Sequence, residues 1–192
     1  MDLTHFIAPA RFEKPEFIIR SYLPGDGPLL SEAVNDSYEH LKTFMVWAQP
    51  EQSVAESEQL VRRFRADYLV NKDFVLGIFS PDEQQLLGGA GFHLREGGLQ
   101  NRSAEIGIWI CSAAAHQGLG TQVARALLEW GFSAWPWERL AWRCDGRNTS
   151  SRRVAEKVGF QFEGTLRAYH RLKDGDRTDM HCFSILRSSP GE

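Results

Sequence analysis

Cysteine is scarce in this 192-residue sequence: Cys111, Cys144 and Cys182 are the whole complement. An odd number, scattered without C-x-x-C spacing, argues against a disulfide framework and against a structural zinc site. Each falls in a stretch that reads as a strand or strand end, so a buried free thiol is expected. Long apolar runs are also missing. No segment approaches the roughly 18 consecutive apolar residues of a membrane span. The first 14 residues hold Asp2 and Glu13 and no apolar stretch, so no signal peptide is expected there and the expected location is cytoplasmic. An excess of one charge is lacking too. The formal net charge is −3, and neither nucleic acid nor an anionic membrane is an expected partner. Repeats and low-complexity tracts are absent.

What is present is ordinary for a globular chain: 42% hydrophobic and 24% charged residues, enough for one self-sufficient core. The expectation is a single domain over residues 1–192, with 1–14 as an N-terminal extension and 187–192 as a C-terminal tail. Phe17 to Leu23 reads as a first strand, stopped by Pro24-Gly25-Asp26-Gly27. A short helix follows from Pro28 to Ser37, and Tyr38 to Trp47 is an apolar segment ended by Pro50. Ser53 and Glu56 form a capping box in front of a helix reaching Leu69, with Val54, Leu60, Val61 and Phe64 as its apolar stripe. Phe74–Ser80 and Leu86–Leu94 pair as a hairpin across Pro81-Asp82. Glu96 to Arg102 is a loop.

Ala104 to Cys111 is the clearest strand. The turn Ala115–Gly120 leads into a helix to Ala134, with Val123, Leu127, Trp130 and Ala134 on one face. Arg139 to Cys144 alternates, with Leu140, Trp142 and Cys144 on one side. Ser150 to Val158 is a short helix closed by Gly159. Phe160–Tyr169 and Thr178–Leu186 are the last strands, joined through Lys173-Asp174-Gly175-Asp176. This order of elements makes a mixed sheet with helices on its faces, an α/β or α+β domain.

The strand, glycine turn and helix around Gly118 and Gly120 suit an anion. Glycines let the backbone approach closely, and a helix start presents unpaired N–H groups and a positive dipole end. Tight geometry alone would equally explain them. A Walker A loop is excluded, because Gly120 is followed by Thr121 and Gln122. A dinucleotide fingerprint is excluded by Val123 where a third glycine belongs.

The segment from Asn148 to Gly164 makes the pattern specific. Asn-x-x-Ser-x-x-x-x-E-K-x-G-F-x-x-E-G resembles the signature of GNAT acetyltransferases, in the ribosomal-protein N-terminal (RimJ/RimL-like) subgroup. Ser103-Ala-Glu-Ile-Gly-Ile-Trp109 is similar to that subgroup's fourth strand. The resemblance is close over Ser103–Leu186 and looser over Phe17–Arg102. It implies a mostly antiparallel seven-stranded sheet, splayed between strands four and five, with acetyl-CoA in the split. One position departs from the pattern: Ala115 stands where a glutamine or arginine is usual, and Arg152 or Arg153 could compensate. The cofactor contacts so implied run through Trp109, Ile110, Cys111, His116, Gln117, Gly118, Leu119, Gly120 and Thr121, with Asn148 on the pantetheine arm and Ser151 and Arg153 on the following helix. No metal is implied.

Acetyl transfer requires the amine to lose a proton, the oxyanion to meet a donor, and the thiolate to regain a proton. Glu105 shares a strand face with Gly107 and Trp109, opposite the core face, and is the candidate for taking the amine's proton. A solvated carboxylate or one paired with an arginine is the alternative. By resemblance, a backbone N–H near Ile110 or Cys111 meets the oxyanion. The resemblance also offers Ser151 or Tyr169 as donor to the thiolate, although a helix-start serine can be a cap alone. The acceptor side falls to Tyr38, Glu39, Phe44, Trp47 and His93; the aromatics there could equally be core. His93, His116 and His170 show no metal-ligand spacing. The resemblance favours a protein or peptide α-amine, such as a ribosomal protein N-terminus. A small-molecule amine (amino acid, polyamine or aminoglycoside) and a catalytically silent acyl-CoA-binding module are the alternatives. Monomer and homodimer both stay open.

Overall fold

The computed structural model describes residues 3, 5–95, 97–172 and 175–187. The turn expected at Lys173 and Asp174 and most of the tail, 188–192, lie outside these residues.

Eight strands form one sheet. They are β1 (Arg11–Lys14), β2 (Phe17–Ser21), β3 (Phe74–Phe79), β4 (Leu86–His93), β5 (Ser103–Ile110), β6 (Arg139–Asp145), β7 (Gln161–Arg171) and β8 (Arg177–Leu186). Their spatial order is β1-β2-β3-β4-β5-β6-β8-β7. Every neighbouring pair is antiparallel except β5 and β6. The sheet therefore has one strand more than the seven expected. The addition is β1, which lies inside the stretch read as an N-terminal extension. Its four residues carry too little periodicity to register in the sequence, and they pair with β2 from Arg11↔Arg20 to Lys14↔Phe17.

Strands β5 and β6 pair only over Ser103↔Arg139, Ala104↔Leu140 and Glu105↔Ala141. Beyond Glu105 they part, and the sheet opens. Cys111 N donates to Leu87 O at 2.9 Å, which makes 87/111 a hydrogen-bonded pair of the β4–β5 ladder. Such pairs alternate along antiparallel strands. Trp109 and Gly107 are therefore bonded to β4, while the amides of Ile106, Ile108 and Ile110 turn away from β4 and toward the opening.

Helices cover both faces: α1 (Gly27–Asp36), the single turn α2 (Tyr38–Leu41) and α3 (Val54–Leu69) on one side, α4 (Leu119–Ala134) and α5 (Thr149–Lys157) on the other. Alternation along the strands sorts the core. Phe74, Leu76, Ile78, Phe92, Ala104, Ile106, Leu140 and Trp142 join Val123, Leu127 and Trp130 of α4 in one cluster. Tyr22, Phe79 and Cys111 join Leu30, Val34 and Val61 of α1 and α3 in the other. The expected capping box is formed: Ser53 Oγ accepts from Glu56 N at 3.2 Å, and Glu56 accepts from Ser53 N at 2.8 Å. Val54, placed on the apolar stripe and standing first in α3, is instead exposed. Cys111 and Cys144 are buried free thiols, and Cys182 is half-buried.

Candidate active site

The split leads into a cavity of about 1110 Å³. Its floor on the α1/α3 side is made by three glycines that seat two rings. A Cβ on Gly89 would stand 2.2 Å from Trp109 Nε1. Cβ atoms on Gly91 and Gly107 would each stand 2.8 Å from His93 Nε2. These contacts are far inside van der Waals distance, so the indole and the imidazole lie flat on the sheet only because the strands below them carry no side chains.

Glu105 faces the same side. Its carboxylate lies 3.4 Å from Arg143 Nε and 3.8 Å from Arg95 Nε. The arginine-paired alternative is thus what the fold builds. Across the ladder Glu105 is directly opposite His93. Extending the β3–β4 register beyond Phe74↔Phe92 brings Asp73 opposite His93 in turn, and His93 Nδ1 lies 3.0 Å from Asp73 Oδ2 and 3.1 Å from Oδ1. Burial pushes the Asp73 carboxyl up, but the bond and charge of His93 and the Phe74 amide outweigh it and hold it below its ordinary value.

Most of the cofactor candidates lie on the opposite face, at the turn into α4 and the start of α5; Trp109 and Cys111 instead share the face of Glu105 and pack toward α1 and α3. Gly118 adopts φ +86°, the left-handed conformation that favours glycine, and caps α4 with no side chain. The first-turn amides from Leu119 onward are left facing outward, although Thr121 N bonds back to Gly118 O at 3.0 Å. A Cβ on Gly120 would meet only Ile110 Cγ1, at an ordinary 3.7 Å. Nothing inside the protein demands a glycine there, and the bare backbone leaves room for an anion to rest against the helix start. Gln117 turns its amide back onto Ala113 O at 2.8 Å, and His116 approaches His40 edge-on, with centroids 6.2 Å apart. Arg152 is held by Glu156 at 2.8 Å, which leaves exposed Arg153 as the cation at the start of α5.

Asn148 is the N-cap of α5, accepting from Ser151 N at 3.0 Å. Ser151 is therefore not the cap. Its Oγ accepts from Trp142 Nε1 at 3.0 Å and contacts the Cys144 thiol, which burial pushes up against the opposing pull of that contact. Asn148, Ser151, Trp142 and Cys144 all line the cavity. Tyr169 also reaches it, from within the irregularity in β7 where Ala168 adopts φ 49°. It is 51% exposed, at the mouth.

Three expectations need correction. The amide of Cys111 cannot meet an acyl oxygen, because it is bound to Leu87 O. Among the two amides considered, that leaves Ile110, whose N–H faces the opening. Tyr38 and Glu39 do not line the cavity: Glu39 pairs with Lys42, which lies over the Tyr38 ring. The single turn of α2 points both away from the split. Phe44, Trp47 and His93 do line it. Trp47 is 45% exposed and meets Trp109 edge-to-face at 5.7 Å. Sequence reasoning missed Arg143, Arg95 and Asp73. Arg143 was legible as a neighbour on the alternating strand; the other two become visible only through cross-strand register. Among the described residues no cluster of His, Cys, Asp and Glu could hold a metal ion, and no helix is long and apolar enough to cross a membrane.

Residues 17–161 match the family model of the acetyltransferase (GNAT) domain. The chain is 30% identical over 136 residues to the uncharacterized N-acetyltransferase YoaA of Bacillus subtilis (strain 168), covering 71% of this chain and 75% of that one. Its fold is similar to that of the microcin C7 self-immunity acetyltransferase MccE, solved with acetyl-CoA and AMP (TM-score 0.82, 20% identity, 94% and 98% of the two chains). It is similar also to RimL, the ribosomal L7/L12 alpha-N-protein acetyltransferase, solved with coenzyme A (TM-score 0.81, 22% identity, 90% and 95%).

Proposed function

We propose, from the premise that this chain belongs to the GNAT acetyltransferase family and is an acetyl-CoA-dependent N-acetyltransferase, that its acceptor is the α-amine of a protein or peptide, met in the cytosol. The observation that carries this reading is the two-sided split. A cofactor bound at Gly118–Thr121 and along Asn148 and Ser151 comes from the α4/α5 face. An acceptor reaches the same gap from the α1/α3 face, over glycines, between Trp47 and Tyr169. Such a passage admits the slender end of an extended chain, with its first side chain against the aromatic rings. The likeness to RimL supports the acceptor class.

In this reading the first-turn amides of α4 hold the pyrophosphate, with Arg153 adding charge beside it. The Ile110 amide donates to the thioester oxygen and strengthens that bond as the oxyanion forms. The acetyl carbon then lies between the two faces, so the amine attacks it directly in a ternary complex. Trp142 holds a lone pair of Ser151, whose O–H turns from the Cys144 thiol to the departing sulfur to protonate it; Tyr169 is the rival donor at the mouth. The carboxylate of Glu105 faces the incoming ammonium.

The test is acetyl transfer to short peptides with free α-amines, beside the same peptides blocked at the N-terminus but carrying lysine. Release of free thiol, with mass spectrometry locating the acetyl group on the α-nitrogen, is expected only for the free N-termini. Turnover with amino acids, polyamines or aminoglycosides but no peptide would replace this acceptor with a small molecule.

A further inference from the structure

We propose that His93, held by Asp73, is the base that takes the proton from the acceptor amine, and that Glu105 serves as the fixed counter-charge beside it. This rests on the acetyltransferase reading above and assigns a step within it. Asp73, His93 and Glu105 form one row across β3, β4 and β5, all on the acceptor face. A carboxylate can only accept at Nδ1, so the neutral imidazole carries its proton there and keeps a bare lone pair on Nε2.

That nitrogen lies over Gly107 and Gly91, and no bond from it to a described residue competes for the lone pair. Both oxygens of Glu105 are already engaged, one beside Arg143 and the other beside Arg95. The charged groups around the imidazole are thus Asp73 on one side and Glu105 with its two arginines on the other.

The protons balance as follows. The ammonium gives one proton to Nε2, from which it passes to water. The neutral amine attacks the thioester carbon, the C–N bond forms and the C–S bond breaks. The second proton leaves nitrogen as the amide forms and passes through water to the Ser151 or Tyr169 oxygen, which has given its own proton to the departing thiolate. His93 is a catalytic residue in this scheme; Asp73 is a positioning residue that fixes its tautomer and ring plane.

The experiment uses peptides beginning with Ser, Ala or Met as acceptors, and acetyl-CoA binding as a control. His93→Gly should lower kcat by about 100-fold or more, with KM and acetyl-CoA affinity nearly unchanged. Added imidazole, filling the space above the two glycines, should restore at least tenfold. His93→Gln, close in volume and unable to take a proton, should be as slow and show no rescue; it stands in if the glycine variant fails to fold. Asp73→Asn should lower kcat about tenfold without rescue by imidazole. A His93→Gln enzyme within threefold of wild type overturns the proposal while leaving the acceptor reading intact. Wild type that binds acetyl-CoA but acetylates no peptide defeats the acceptor reading, and the proposed base for that reaction falls with it.

Discussion

Strands β4 and β5 have two faces built in opposite ways. Toward α4 they present Phe92, Ala104 and Ile106, which pack with Trp130, Trp135 and Trp137 into a closed aromatic core; Trp135 and Trp137 stack at 5.6 Å, and Phe92 lies 5.0 Å from Trp135. Toward α1 and α3 the same strands present Gly89, Gly91 and Gly107 under Trp109 and His93. One face is filled by large side chains arriving from a helix and a loop. The other is kept shallow, so that its own strands' rings lie down and leave a passage above. Aromatic residues therefore mean different things on the two faces: packed volume on the first, the wall of an opening on the second.

The largest expected effect breaks the closed face. Trp137→Ala removes a fully buried indole and should cost about 3–5 kcal/mol in urea denaturation. Trp137→Phe should cost far less, under about 1.5 kcal/mol. Trp137 Nε1 is buried without a hydrogen-bond partner among the described residues, so losing it removes no bond to them. Equal losses for both substitutions would mean that the indole nitrogen is bonded after all.

Two glycine substitutions, one on the open face and one at the start of α4, should act with opposite sign. Gly89→Ala drives a methyl into the Trp109 indole and should destabilise the fold by about 1–3 kcal/mol, with Trp109 displaced into the passage and peptide acetylation reduced. Gly120→Ala meets no clash and lies in the first turn of α4. Stability should hold or rise by about 0.5–1 kcal/mol, while acetyl-CoA affinity falls in a calorimetric titration. Unchanged affinity in that variant would remove the anion cradle from the first turn of α4.

The smallest effect lies away from both faces. Bonds from Arg139 and Ser184 hold the Glu163 carboxyl down, at about 2. A lowered value means stability present above the ordinary 4.5 and lost as pH falls from there toward 2. The pair is well exposed, so the loss should stay below about 1 kcal/mol. In Glu163→Gln this part of the acid destabilisation should vanish, measured as Tm between pH 5 and pH 2.5.

The alternation of Arg139–Cys144, the stripe of α4 and the Ser53–Glu56 box were legible in the sequence, because each depends on residues within a few positions of one another. The strand β1 was not, since four residues show no period until β2 is beside them. Tyr38 and Glu39 were placed at the site by the resemblance, but Glu39 pairs with Lys42, Lys42 lies over the Tyr38 ring, and neither lines the cavity. Ser151 was open to a capping role; only the structure gives that role to Asn148 and leaves the hydroxyl to Trp142 and Cys144.

By itself the sequence determined the family, the order of most elements and the glycine turn before α4, for these are written in contiguous residues whose chemistry is local. Tertiary structure alone decided the acceptor side. Asp73, His93 and Glu105 are 32 positions apart from first to last, and no spacing rule joins them. They meet because antiparallel register places residues distant in sequence directly opposite one another, and because Gly91 and Gly107 on the same face leave the imidazole room to lie between them.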